Sequence, residues 1–229
     1  MEYNDEEMNG LSYNMALKND KRSFCMYYIS LLKTKHILIF SFINKNDYNS
    51  RIIKMDLFFI SFSIYMTINA LFFNDDSMHK IYENNGSFNI EYQIAQIIYS
   101  TLISIILNIP LNLLAISNGS IINFKHRKYE NKNILNESYT SLNKNLKIKF
   151  LLFFIINFIF IVFFWVYLSI FCSIYKNTQY HLIKDTLISF GLSLIYPLGI
   201  YLLPGIFRIS SLSKKKKCLY NFSKILQII

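Results

Sequence analysis

A chain of 229 residues that is 53% hydrophobic and 17% aromatic, with 6 Gly, 3 Pro and a mean hydropathy of +0.28, carries more apolar surface than a soluble domain of this size hides easily. Its net charge of +10 suits either nucleic acid or a membrane surface, and the placement of the charges decides between them. Cys25, Cys172 and Cys218 are an odd set without CxxC or metal-ligand spacing, which argues against a disulfide scaffold. Asn, Ile, Lys, Phe and Tyr dominate as they would in an AT-rich coding sequence, so single Asn and Lys residues carry little signal.

Residues 1–19 begin acidic (Glu2, Asp5, Glu6, Glu7) and lack the basic start of a cleavable signal peptide. They read as a flexible lead, and the chain reads equally well as the end of a longer parent. Residues 20–54 read as a basic helix and linker. Asp20 is placed to cap that helix, and Phe24, Tyr27, Tyr28, Leu31 and Leu32 share one face. Lys33 and Lys35 near the middle of Phe24–Ile43 would each cost about 2.5–3.5 kcal/mol in a span. The expectation is therefore a basic amphipathic interfacial helix, a short packed segment, and a polar linker over 44–51.

Four spans follow, grouped as hairpins over 55–117 and 150–207. The first, at about Met55–Phe73, has Asp56 at its start and Asn69 inside. A short acidic loop leads to the second, about Gln93–Ser117, with Asn108, Pro110 and Asn112. Residues 118–149 are polar and basic and read as a cytoplasmic loop. The third span, Phe150–Tyr175, has 26 residues with no charge and 11 aromatics. It is long enough to cross a ~30 Å hydrocarbon core and lacks the polar stripe of a soluble helix. A tight outer loop precedes the fourth span, about Thr186–Phe207. The tail, 208–229, carries Lys214, Lys215, Lys216 and Lys217 and a short apolar helix.

Of the Lys and Arg residues, 21 fall in the N-terminal segment, the 118–149 segment and the tail, against 3 in the two other loops. By the positive-inside rule both termini are cytoplasmic. The fold class expected is all-α, a polytopic four-helix transmembrane bundle with the interfacial helix before its first span. The basic belt then faces anionic lipids of the bilayer, and nucleic acid is excluded as a partner because no folded soluble face collects the charge.

Few residues stand out for chemistry. In the fourth span Ser189, Ser193, Gly191, Gly199 and Gly205 allow close helix approach. Pro197 and Pro204 break the backbone ladder, whose freed carbonyls must face protein or water. This reads as a kinked packing helix or as a discontinuous helix beside a substrate path. Asn69, Asn108, Asn112 and Asn157 read as interhelical glue or as pore lining. No unambiguous charge is expected mid-membrane, which counts against proton-coupled transport. His181, Lys184 and Asp185 form an outer-rim polar cluster, with Asp185 a simple cap for the fourth helix. Lys214–Lys217 beside Cys218 reads as an anionic-lipid contact next to a palmitoylation candidate, or as a plain orienting cluster. Asn85 heads a glycosylation sequon on the outer loop. No catalytic constellation, cofactor motif or metal pattern is present in the sequence, and none is expected.

Three runs together, RIIKMDLFFISFSIYMTINALFFNDDSMHKIYENNGSFN, YKNTQYHLIKDTLISFGLSLIYPLGI and LLPGIFRISSL, resemble an uncharacterised four-span membrane module. That module recurs in protist proteins, commonly near the C-terminus of longer membrane or surface proteins. The resemblance covers about Lys21 to Ile229, is weakest over 118–149, and implies the span count but no activity. The expected function is a non-enzymatic module that anchors or assembles a membrane complex, as a homo-oligomer or with a partner membrane protein. The alternative is a channel or transporter subunit with its pathway beside the fourth span.

Overall fold

The computed structural model describes residues 3–73, 75–83, 90–127 and 132–227. Every regular element among them is helical: α1 (Asp5–Gly10), α2 (Tyr13–Asn19), α3 (Phe24–Lys35), α4 (Ile37–Phe42), α5 (Arg51–Leu71), α6 (Asp75–Glu83), α7 (Ile90–Ala115), α8 (Asn118–His126), α9 (Lys132–Ile174), a 3-10 turn (Lys176–Thr178), α10 (Gln179–Ile200), α11 (Leu202–Ser213) and α12 (Lys217–Leu226). Four stretches are long and apolar enough to cross a membrane: α5, Ile94–Ala115 of α7, α9, and Gln179–Ser213 across α10 and α11. The all-helical class and the number of membrane-length stretches agree with the expectation from the sequence.

Boundaries differ where local capping and tertiary packing override the hydropathy pattern. The 118–149 segment is helical over 118–126 and again from Lys132, so the third span is the apolar end of one 43-residue helix. No Pro or Gly interrupts 132–174, so nothing in that stretch stops the helix at the polar–apolar border. Residues 5–19, expected as a flexible lead, form α1 and α2. Asn4 closes a capping box on α1: its side chain accepts from Glu7 N–H, and Glu7 accepts from Asn4 N–H, both at 2.8 Å.

The chain divides into two compact units. The first holds the chain up to Lys54, residues 118–127, and everything from Leu194 onward. Its core is Tyr27, Leu31 and Tyr201, with Tyr28, Leu32, Ile200 and Ile209 packed around them. That is the face of α3 expected from its periodicity, but it covers protein, against α11. Ser23, not Asp20, caps α3, accepting from Met26 N–H at 3.4 Å. Asp20 follows the end of α2, and its carboxylate turns into the core. At the α11–α3 contact a Cβ on Gly205 would meet the Phe24 ring at 2.8 Å, so the close approach requires glycine there.

The second unit holds residues 55–117 and the chain from α9 through Ser193 of α10. One core cluster is Ala70, Phe73, Phe171 and Leu182. Another contact stacks Phe58, Phe62 and Tyr65 of α5 edge-on against Phe190 of α10, at 5.3–5.5 Å between ring centroids. Side chains of α5 reach both α9 and α10, and α5 is the best covered of the four: 56% of its apolar window is buried, against 17% for α9.

Candidate functional site

Inside the second unit, α5, α7 and α10 bring a set of polar side chains together in a place the spacing of the sequence does not reveal. Asn69 and Asp185 are fully buried, as are Ser189 and Thr186, and Gln96 and His181 nearly so. Asn69 Nδ2 donates to Ser189 Oγ at 2.7 Å and to the Tyr65 carbonyl, one turn back, at 2.9 Å. Gln96 Nε2 reaches the Asn69 carbonyl and Asp185 Oδ2, each at 3.4 Å. Ser189 in turn donates to the Thr186 carbonyl at 3.2 Å. Among the described residues, Asp185 Oδ1 and Asn69 Oδ1 have no hydrogen-bond partner. A second polar tie lies further along α5, where Asn157 of α9 donates to Asp56 Oδ2 at 2.7 Å.

These positions revise the expectation for the outer-rim cluster. The helix begins at Gln179, so Asp185 is its seventh residue and caps nothing. His181 and Asp185 share the buried face by their spacing of four. Lys184 falls on another side and lies over the Tyr180 ring at 4.4 Å, so the three residues are not one cluster. Asp185 is thus a buried carboxylate inside a membrane-length helix, near its start.

The other candidates separate. Among the described residues, Asn108 bonds only back to the Ser104 carbonyl of its own turn, at 2.8 Å, and its Oδ1 has no partner. Pro110 is exposed and Asn112 half-buried on α7. A Cβ on Gly191 or on Gly199 would meet nothing within 4 Å, so neither serves a helix contact within this chain, and the packing role falls to Gly205 alone. Pro197 lies inside α10, and the break at Tyr201 precedes α11 and Pro204. The carbonyls around Pro197 are taken by protein in the first unit. His36 Nε2 lies 2.7 Å from the Leu194 carbonyl, and Tyr28 donates to the Leu198 carbonyl at 2.8 Å. The Pro204 carbonyl accepts from Ser223 at 2.9 Å.

The first unit has an ionic core that no residue spacing points to. Arg208 is fully buried between the rings of Tyr27 and Tyr220, 4.9 Å from each centroid. It donates to Asp20 Oδ2 from Nε (3.0 Å) and Nη2 (2.8 Å), and to the carbonyls of Met8 and Asn9 at 2.8 and 3.1 Å. Arg22 takes the other carboxylate oxygen at 2.8 Å and extends to Asn9 and Ser30. Burial alone would raise the Asp20 carboxyl; Arg22 and Arg208 outweigh it and hold it below the usual range. Glu7 behaves alike: burial pushes it up, while Lys125 and Asn4 bring it down overall. Its hydrogen bond in turn lifts Lys125 to about 12. Burial raises Glu6, which accepts from Asn118.

Lys214–Lys217 and Cys218 are all exposed. The turn they form is a helix stop: Lys216 N–H reaches the Ser211 carbonyl at 2.9 Å, across Lys215 in the left-handed region at φ 52°. Asn85 lies outside the described residues. Among the described residues no group of three or more His, Cys, Asp or Glu side chains could hold a metal ion. Comparison with family models, with curated proteins and with solved structures gave no match to this chain.

Proposed function

We propose that this chain is an integral, multi-pass membrane module that anchors or assembles a membrane complex, with both termini cytoplasmic and no catalytic activity of its own. The observation that carries the reading is the naked third span. Only 17% of its apolar window is buried, and Phe158 and Trp165 are 70% and 73% exposed. So much uncovered aromatic surface needs lipid or other membrane helices around it. The topology rests on the segregation of Lys and Arg, and the exposed Lys214–Lys217 run fits an anionic leaflet.

The discriminating experiment is reconstitution of the purified chain into liposomes, with cross-linking and ion flux read on the same preparation. The module reading expects resistance to alkaline extraction, cross-linked oligomers or partner adducts through α9, and flux no higher than in empty liposomes. Selective flux would favour the channel or transporter reading instead. Against a pathway beside Pro197 stand the two carbonyls there that His36 and Tyr28 occupy.

A further inference from the structure

We propose that Asp185 is a proton-binding site: its carboxyl group is protonated at neutral pH, with the added hydrogen serving the acceptor-rich cluster formed with Asn69, Gln96 and Ser189. The inference deepens the membrane reading without depending on it, because Asp185 is enclosed by protein whatever surrounds the bundle.

The first argument is a count of donors and acceptors. Asn69 Nδ2 spends its hydrogens on Tyr65 O and Ser189 Oγ. Gln96 Nε2 spends its pair on Asn69 O and Asp185 Oδ2, and the Ser189 hydroxyl donates to Thr186 O. These donors of Asn69, Gln96 and Ser189 are used, and among the described residues two buried acceptors, Asp185 Oδ1 and Asn69 Oδ1, remain. One proton on Asp185 converts one surplus acceptor into a donor and so eases the imbalance in the cluster. A metal cation would need several more oxygen ligands than these two.

The second argument is charge. A buried carboxylate without a cation beside it is costly, and its sole hydrogen bond among the described residues is one long amide bond. Asn69 lies two residues before the end of α5, so the negative end of that helix faces the same region and favours an added positive charge. The titratable groups on the surrounding helices include His181 and Lys184 on α10, Tyr65 on α5, Tyr99 on α7 and Tyr167, Cys172 and Tyr175 on α9. On α6, His79 pairs with Glu83 at 3.1 Å, far out in solvent. Among the described residues no Arg or Lys pairs with Asp185: Lys184 lies over the Tyr180 ring on another side of α10, and Lys80 of α6 is exposed. Asp185 is about 9 Å along α10 from its start, at ~1.5 Å per residue, and Gln96 a like distance along α7. A proton thus has a short way to travel from that end of the bundle.

Infrared difference spectroscopy on the full chain in liposomes tests this directly. The expected result is a protonated-carboxyl C=O band at neutral pH that shifts in heavy water, shifts again with carbon-13 aspartate, and is absent from Asp185→Asn. Asp56→Asn should retain the band, which excludes the other intramembrane aspartate and does not require the first variant to fold. A neutral-pH spectrum without an aspartic acid band would overturn the proposal, as would loss of the band in Asp56→Asn. Loss of the wild-type band on replacing choline with sodium at constant pH would also overturn it, in favour of a metal-cation site.

Discussion

Two glycines on the same pair of helices have opposite fates. Gly205 faces Phe24 at a distance no Cβ tolerates, so Gly205→Ala must swing the ring aside, at a cost of about 1–3 kcal/mol. Paired with Phe24→Ala, most of that penalty should vanish, and thermal unfolding of the four chains in the cycle measures it. Gly199 is exposed and a Cβ there meets nothing within 4 Å, so Gly199→Leu should leave the amount of folded protein unchanged. Asp20 shows the cost of ionic burial. Asp20→Ala leaves Arg208 without its anion in the core and should destabilise the first unit by about 3 kcal/mol or more. The wild-type Asp20 pKa is depressed on folding, so its contribution is full above the ordinary carboxylate pKa and is lost as pH falls through the folded value. Acid titration of stability should show that loss in the wild type and lack the step in Asp20→Ala.

At the scale of elements, the α11–α12 connection sets a strained residue beside an electrostatic one. Lys215 adopts a backbone conformation that glycine takes without penalty, so Lys215→Gly should raise stability by about 1 kcal/mol while the Ser211–Lys216 bond persists. A thermal melt reads this directly. Replacing Lys214–Lys217 with Gln addresses the membrane role of the same turn. Each exposed Lys at an anionic leaflet is worth about 1 kcal/mol, so binding of the tail to anionic liposomes should fall and the wild-type difference should fade at high salt. Equal binding by both chains at all salt concentrations would reduce the run to an orienting signal. Polar and apolar parts of α9 form one rod because nothing in its sequence ends a helix at residue 150; hydropathy marks solvent, not backbone conformation.

For the whole molecule, the proposed topology is tested by tags at Met1 and Ile229, both expected to resist external protease on intact cells, while a tag near Asn84 is cleaved. Protection of only one terminus would require an odd number of crossings, with Phe24–Ile43 the first candidate. In the first unit the chain's two end regions fold together: α1 and α2 are bound to α11 and α12 through Arg208, and through Tyr220, which donates to the Leu11 carbonyl at 2.7 Å. Deleting residues 1–19 should therefore destabilise the C-terminal helices, which a flexible lead would not do.

Helical class and four membrane-length stretches were legible in the sequence, since both follow from unbroken apolar runs that no soluble helix pattern explains. The buried face of α3 was legible too, because a period of 3.6 residues places Tyr27 and Leu31 together. What covers that face was not, since periodicity names a buried side and never its neighbour. Asp20, Arg208, Gln96 and Asp185 escaped for the same reason. Asp20 and Arg208 stand 188 residues apart, and Gln96 and Asp185 89 apart. A lone polar residue in an apolar run looks alike whether it caps a helix, faces water or meets a partner, and only the tertiary structure decides which.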